Sequence, residues 1–210
     1  MSIIDDINEK MQAGRVKVVK ELVSQALEEG IPAEQILNDG LMAAMAVVGA
    51  KFKENEVFVP EVLVAARAMN AGIELLKPSL QASNHKAKGV AIIGTVKGDL
   101  HDIGKNLVKM MIESVGIEVI DLGTDVDKNQ FLDAAIANDA DLVCCSALLT
   151  TTMGEMKAVV DLFVEKDMRD KVKIMVGGAP VSQSFCDSIG ADCYTVDASS
   201  AAEKALEFVS

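Results

Sequence analysis

The residue in this sequence that is most suited to chemistry is a histidine in a short polar loop. His101 lies within residues 98–104, which read GDLHDIG, and Asp99 stands two positions before it. A carboxylate close to an imidazole can accept one ring N–H, fix the tautomer and raise the basicity of the other ring nitrogen. This arrangement suits a metal ligand and a general base equally well. A base would need a nucleophile, and Ser146 could be one, although no nucleophile-elbow sequence surrounds it.

Two further segments combine small and hydroxyl-bearing residues in a way that could admit a ligand. Residues 146–152 read SALLTTT, and residues 177–180 read GGAP. The ordinary explanations are a threonine that caps a helix and a tight turn at a glycine pair. Paired glycines also let a ligand approach the backbone, because they carry no side chain. The sequence contains neither GxGxxG nor GxxxxGK[ST], which argues against a dinucleotide site and excludes a P-loop.

Short apolar runs that alternate with helical patterns surround these segments and must position them. We predict strands over 90–94, 117–122, 142–145, 172–176 and 192–195, with helices over 103–115, 129–138, 153–166, 181–189 and 199–209. This alternation implies an α/β domain, a flavodoxin-like or Rossmann-like, doubly wound, parallel five-stranded sheet with helices on both faces. In the common strand order 2-1-3-4-5, strands one, three and four are neighbours. The polar segments would then meet at the carboxyl edge of the sheet, where ligands of such sheets bind.

The first 82 residues show helical spacing of apolar residues throughout. We predict helices over 3–11, 16–27, 32–52 and 60–76, with Gly14 and Gly30 ending the first two and Pro78 following the fourth. Short connections between such helices make an antiparallel four-helix bundle. Residues 83–88 are polar and carry no apolar pattern. We therefore expect a helical domain over 1–84 and an α/β domain over 85–210.

The amino-acid composition limits the kinds of binding partner that we expect. The formal net charge of −12 would repel phosphate backbones, so nucleic-acid binding is not expected. No apolar run is long enough to span a bilayer, and the N-terminus is acidic and unlike a signal peptide. We therefore expect a cytoplasmic protein with no membrane partner. The cysteines form no CxxC or zinc-like spacing, and Cys144 and Cys145 fall in a predicted buried strand, which favours core packing over redox chemistry.

The three polar segments together resemble the motifs of a known family. Residues 99–104 form a DxHxxG motif, 146–148 an SxL motif and 177–178 a paired glycine. Their order and spacing are similar to those of the cobalamin-binding region of cobalamin-dependent methionine synthase and of corrinoid proteins of methyltransferase systems. Residues 48–52 (VGAKF) and 58–66 (FVPEVLVAA) resemble the family's helical cap over the upper face of the corrin. The resemblance covers essentially the whole chain.

The resemblance implies a cofactor and a role for each motif residue. The cofactor would be cobalamin or a related corrinoid, present as methylcobalamin during turnover. His101 would bind cobalt from below in place of the cofactor's own benzimidazole, and Asp99 would hydrogen-bond His101. Ser146 and Leu148 would line the slot for the displaced nucleotide tail, and Ser146 would help relay protons to the Asp99–His101 pair. The implied cofactor-binding residues are Asp99, His101, Asp102, Ile103, Gly104, Ser146, Leu148, Thr150, Gly177 and Gly178, with Met45 and Phe52 from the cap.

The function implied by the resemblance is methyl shuttling. Cobalt(I) would take a methyl group from a substrate held by a substrate-specific methyltransferase. A second methyltransferase would pass it to tetrahydrofolate or to a thiol, and a reductive activase would restore the cobalt. Three alternatives stay open: a small subunit of an adenosylcobalamin mutase, a corrinoid-sensing regulator and a flavodoxin-like receiver domain without a corrinoid. The methyl donor could be methanol, a methylamine, a betaine or an aromatic methyl ether.

Overall fold

The structure, a computed structural model, describes residues 2–82 and 86–210. The chain divides into two compact units, with the division between Lys86 and Ala87. The predicted boundary between residues 84 and 85 lies outside the described residues and stays a prediction. Each unit is described by itself below.

The N-terminal unit is entirely helical. Its elements are α1 (Ile3–Gln12), α2 (Val16–Glu28), α3 (Ala33–Gln35), a π-helix (Ile36–Met42), α4 (Ala43–Lys53) and α5 (Val59–Ala82). The predicted third helix is thus one helical path with a wide turn in its middle. The π-helix contains Asn38, Asp39 and Gly40, residue types that weakly support regular α-helical turns. A Cβ at Gly40 would lie 3.1 Å from Ile7, so α1 passes close to this turn.

The predicted end of the fourth helix is wrong. Pro78 lies inside α5, which continues to Ala82. Proline removes one backbone N–H and crowds the carbonyl four residues earlier, which normally ends a helix. Here Leu76 and Leu80 are buried on either side of Pro78. Burial of these side chains at helical spacing offsets the lost hydrogen bond, because tertiary packing supplies most of a helix's stability in a protein.

The C-terminal unit is a parallel sheet with helices on both faces, as predicted. The strands are β1 (Val90–Thr95), β2 (Glu118–Asp121), β3 (Leu142–Ser146), β4 (Lys173–Gly177) and β5 (Cys193–Tyr194). The helices are α6 (Ile103–Ser114), α7 (Lys128–Ala137), α8 (Met153–Glu165), α9 (Gln183–Ile189) and α10 (Ala198–Val209). The strand order is β2-β1-β3-β4-β5 with every pairing parallel, which confirms the predicted order. Among the described residues, no helix has the length and apolar character that crossing a bilayer requires.

The sheet interior is apolar on both faces. Phe131 of α7 and Phe163 of α8 pack with Ile92 and Val143 in one continuous core. Cys144 and Cys145 lie in β3 and are buried, as predicted. Burial raises the pKa of the Cys144 thiol to about 12, and the nearby Cys193 thiol adds to this rise. These thiols therefore stay protonated and act as small core side chains.

Candidate functional site

The polar segments meet at one edge of the sheet. Thr95, Ser146 and Gly177 are register partners at the carboxyl ends of β1, β3 and β4. In-register residues of parallel strands point to the same face, so these three positions form one transverse row. The loops that leave this row are the three segments singled out in the sequence. The candidate site therefore lies where ligands of doubly wound sheets bind.

Asp99 is the buried centre of this edge. Its Oδ1 accepts the His101 ring Nδ1–H at 2.7 Å and the His101 backbone N–H at 3.1 Å. Its Oδ2 accepts the backbone N–H groups of Leu148 and Leu149 at 2.8 and 3.2 Å, and the Thr152 hydroxyl at 2.9 Å. The carboxylate thus joins the β1–α6 loop to the β3–α8 loop.

The charge of Asp99 follows from these donors. Burial alone would raise the pKa of this carboxyl, but hydrogen bonds from His101, Leu148 and Thr152 outweigh it and hold the pKa well below its usual range. A carboxylate can only accept hydrogen bonds, so the facing Nδ1 of His101 carries the imidazole proton. The lone pair of the neutral ring is then on Nε2.

We expect Asp99→Asn to lower the free energy of unfolding by about 2–4 kcal/mol, because any amide orientation turns its NH2 toward buried donors. With the amide oxygen toward Leu148, the NH2 faces His101 and favours the wrong ring tautomer. Urea unfolding followed by far-UV circular dichroism measures this, since the chain has no Trp. Asp133→Asn, at an exposed position of α7, is the control and should change stability by less than about 0.5 kcal/mol. Equal stability of Asp99→Asn and wild type would contradict the expectation.

The stability difference should also depend on pH. A carboxyl whose pKa is lowered by folding adds stability above its ordinary pKa of about 4, and this is lost as pH falls through the folded pKa. The pKa of Asp99 is lowered in the folded state. The gap between wild type and Asp99→Asn should therefore be smaller at pH 3 than at pH 7. A gap that widens at pH 3 would contradict this sign.

His101 is held by its backbone while its ring is open to solvent. The Thr95 hydroxyl donates to the His101 carbonyl at 2.8 Å. Gly98 has φ +79°, and its N–H donates to the Asp125 carboxylate at 2.7 Å. The His101 side chain is nevertheless 51% exposed. Because Nδ1 is engaged by Asp99, Nε2 is the nitrogen available to a metal.

Ser146 lies at the predicted edge of the sheet, but its side chain is not part of the Asp99–His101 pair. Within the described residues its hydroxyl makes no hydrogen bond, so it contacts neither Asp99 nor His101. The serine-nucleophile interpretation and a direct proton relay from Ser146 to the pair therefore have no contact to support them. The hydroxyl on Asp99 belongs to Thr152, one of three threonines for which the sequence left both a helix cap and a ligand contact open. The three consecutive threonines were the signal, but the sequence did not show which one is buried.

Five exposed apolar side chains lie at the carboxyl edge of the sheet. They lie in the loops after β1, β3 and β5 and at the first residue of α6. We call them the apolar rim: Leu100, Ile103, Leu148, Leu149 and Val196. Ile103 and Leu148 were predicted site residues, whereas the other three were missed because no motif marks them. Exposed apolar surface of this kind typically marks a ligand or partner site.

The two paired glycines, Gly177 and Gly178, have different surroundings. Gly178 has φ +132°, and a Cβ there would lie 1.8 Å from the Ala147 carbonyl oxygen. Gly178 therefore lets the β4–α9 loop pack directly on the β3–α8 loop. A Cβ at Gly177 would meet nothing within 4 Å, so open space lies beside this position. Gly104 is equally open.

The other predicted site residues are placed as follows. Asp102 is the exposed residue before α6 and accepts a hydrogen bond from the Asn106 amide at 3.2 Å. Thr150 is exposed in the β3–α8 loop. In the helical unit, Phe52 is half-buried. Met45 is fully buried on the same helix face as Val48, so it presents no surface to a ligand.

A buried ion pair fixes the start of α6 and was not foreseen. The Lys105 ammonium lies 2.5 Å from Asp121 Oδ1 and 2.8 Å from Asn106 Oδ1, and Lys105 is buried. Asp121 ends β2, so the pair ties this edge strand to the helix that follows the His101 loop. Burial alone would raise the pKa of Asp121, but Lys105 and the Gly123 N–H lower it.

Comparison with known proteins shows the family of this chain. A family model described as B12 binding domain matches residues 89–207, and a second model of the same description matches residues 3–77. The chain is 42% identical over 212 residues to dimethylamine corrinoid protein 3 of Methanosarcina acetivorans, with 100% of both chains covered.

Two solved structures extend the similarity to the fold. The methanol:cobalamin methyltransferase complex MtaBC from Methanosarcina barkeri matches with a TM-score of 0.89 and 32% identity, over 99% of this chain and 79% of that chain. A cobalamin-binding protein from Desulfitobacterium hafniense matches with a TM-score of 0.81 and 28% identity, over 99% of this chain and 98% of that chain.

The fold and the site define a corrinoid-binding protein with a helical N-terminal unit. The chain belongs to the family of B12-binding corrinoid proteins of methyltransferase systems. The flavodoxin-like receiver without a corrinoid is thereby excluded.

Proposed function

We propose that the chain carries methyl groups on a corrinoid held at the carboxyl edge of its sheet, with His101 as the lower ligand of cobalt. The observation that supports this most directly is the pairing of a buried, anionic Asp99 with a half-exposed His101 ring. When bound, the corrinoid supplies a cobalt ion that accepts and releases the methyl group. Full-length similarity to corrinoid proteins favours a carrier over a mutase subunit or a sensor.

The residues at the edge fit such a cofactor. A macrocycle needs an open apolar surface, and the apolar rim supplies one at the same edge of the sheet as His101. Asp99 keeps the proton on Nδ1 and so keeps Nε2 available. Gly177, the register partner of Ser146, borders open space in which the displaced nucleotide tail would lie. Asp102, Gly104 and Thr150 are exposed beside the rim and are proposed as further contacts.

The helical unit is proposed to contribute the cap. On α4, Ala43, Ala46, Val47 and Ala50 are exposed and recur at helical spacing. This small apolar face, with Phe52, is the surface proposed to contact a corrin. Met45 is not part of this proposed contact surface, because it is buried in the opposite face of α4.

The partners are proposed from the relatives. A relative carries dimethylamine in its name, and a similar solved structure is a methyltransferase complex. We therefore propose a methylamine-type donor delivered by a substrate-specific methyltransferase. A second methyltransferase acting on tetrahydrofolate or a thiol, a reductive activase and a cytoplasmic location complete the proposal.

The reconstituted chain alone should not demethylate dimethylamine at a measurable rate. Holding the donor against cobalt contributes many orders of magnitude in rate, and a partner methyltransferase is expected to supply this positioning. The test follows the absorption spectrum of the reduced, corrinoid-loaded protein with dimethylamine, with and without a dimethylamine-specific methyltransferase. Methylation only with the partner is expected. Rapid demethylation without it, or no corrinoid uptake, would contradict the proposed function.

A further inference from the structure

Lys105 stands at a place where a helix disfavours a cation. It lies in the first turn of α6, which begins at Ile103, and the positive end of the helix dipole repels a positive charge there. Its side chain is nevertheless only 2% exposed, and its ammonium lies 2.5 Å from Asp121 Oδ1. A buried ion pair adds little stability compared with well-packed apolar side chains. Neither the helix nor the core therefore explains why a lysine is buried at this place.

We propose that Lys105 is a positioning residue for His101, because its ion pair with Asp121 fixes the backbone of the His101 loop relative to the sheet and thereby the position from which Nε2 binds cobalt. This inference rests on the proposed function, in which Nε2 is the lower ligand. The role is separate from that of Asp99, whose carboxylate fixes the tautomer of the ring.

A closed chain of contacts joins the ion pair to His101. Asp121 Oδ1 also accepts the Gly123 N–H at 2.9 Å, and the Gly123 carbonyl accepts the Thr95 N–H at 2.9 Å. The Thr95 hydroxyl then donates to the His101 carbonyl at 2.8 Å. The chain closes through the backbone, since Lys105 follows His101 by four positions. The His101 loop is thus tied to the end of β2 both through Thr95 and through Lys105.

The two lysines near Asp121 differ in how they contact it. The Lys105 ammonium is buried and also donates to Asn106 Oδ1 at 2.8 Å. The Lys109 ammonium lies 3.5 Å from Asp121 Oδ2, and its side chain is 30% exposed. Lys105 therefore makes the short, buried contact, and Lys109 makes a longer one near the surface. Because both lysines share one carboxylate, Lys109 provides a matched control.

Matched substitutions separate positioning from stability. Lys105→Met keeps an unbranched apolar stem and removes the charge. The Asp121 carboxylate is partly exposed and keeps Lys109 nearby, so the charge that remains is compensated. The double variant, Lys105→Met with Asp121→Asn, removes both charges and keeps an acceptor for the Gly123 N–H. Lys109→Met is the control.

The first measurement uses the cofactor-free protein. Hydrogen exchange of the His101 backbone N–H should be about tenfold faster in Lys105→Met, since the loss of a hydrogen bond to a charged group changes an equilibrium by about this factor. Nitrogen-15 spectra of the His101 ring should keep the wild-type tautomer ratio, because the contact with Asp99 remains. Lys109→Met should match wild type in both measurements.

The second measurement uses the corrinoid-loaded protein and follows the midpoint potential of the cobalt(II)/cobalt(I) couple. Cobalt(I) holds no axial nitrogen, so weaker ligation by His101 destabilises only cobalt(II) and raises the potential. A loop that is not held in advance must be ordered when the ligand binds, which we expect to weaken the ligation about tenfold. This factor corresponds to a rise of about 59 mV for one electron. We expect this rise in Lys105→Met and in the double variant, and none in Lys109→Met.

A role in stability alone makes a different prediction. Lys105→Met would then lower the free energy of unfolding in urea but leave the potential of the folded, loaded protein unchanged, and this result overturns the inference. An equal rise in Lys109→Met overturns it as well. If Lys105→Met does not fold, the double variant decides the same question, because two neutral side chains of similar size replace the pair. Failure of the wild type to bind corrinoid contradicts the proposed function, whereas hydrogen exchange in the cofactor-free protein still decides whether Lys105 holds the loop.

Discussion

The corrinoid of a reconstituted His101→Ala variant should stay bound while its cobalt loses the protein nitrogen. The ring is half exposed and makes no part of the core, so its removal should leave the fold intact. Asp99 keeps the backbone N–H of residue 101 as a donor, because alanine supplies it too. The apolar rim and the open space at Gly177 also remain.

Absorption spectra of cobalt(III) forms measure this result. The spectrum should shift from the nitrogen-ligated to the water-ligated type, essentially completely. His85→Ala, at the chain's other histidine, is the control and should keep the wild-type spectrum. Identical spectra of His101→Ala and wild type at equal occupancy would remove His101 from the cobalt.

A second large effect is expected at the paired glycines. Gly178→Ala should lower the free energy of unfolding by about 3–5 kcal/mol or prevent folding, because it combines a positive φ with a backbone overlap. The overlap is with the Ala147 carbonyl oxygen, 1.8 Å from the new Cβ. Since this atom is backbone, no side-chain rotation can relieve the contact. Urea unfolding measures the loss.

Gly177→Ala is the matched comparison. Its Cβ enters open space, so the unfolding free energy should stay within about 1 kcal/mol of wild type. If the nucleotide tail uses this space, corrinoid affinity should fall by about tenfold, the result of a small steric conflict. Equal stability losses in the two variants would contradict the division of roles. Unchanged affinity in Gly177→Ala would place the tail elsewhere.

The sequence predicted the strand order and the site edge because these depend on alternation and on rules for parallel sheets. Apolar runs such as 142–145 are unambiguous, and the order 2-1-3-4-5 brings His101, Ser146 and Gly177 together. The incorrect prediction that the fourth helix ends before Pro78 has a different cause. Proline has a local cost that the sequence shows, but the burial of Leu76 and Leu80 that offsets it is tertiary.

The sequence did not show which side chains at the site are buried and which are exposed, because this depends on side-chain direction. Thr150 and Thr152 are the same residue type two positions apart, yet Thr150 is exposed and Thr152 is buried on Asp99. Met45 and Val47 on α4 differ in the same way, since Met45 is buried and Val47 is exposed. The π-helix just before α4 changes the phase of the helix faces. Within α4 itself the regular 3.6-residue spacing does separate Met45 from Val47, whereas no spacing rule distinguishes the threonines of a loop.

The hydrogen bonds of Asp99 also bear on whether this loop can be transplanted. Residues 98–104 are held to the β3–α8 loop by the hydrogen bonds that Leu148, Leu149 and Thr152 donate to Asp99. A protein engineer who moved this loop alone onto another parallel sheet would carry over the imidazole but not its orientation. The smallest transferable unit is the pair of loops, 98–104 with 146–152, together with the glycine that lets a third loop pack against them.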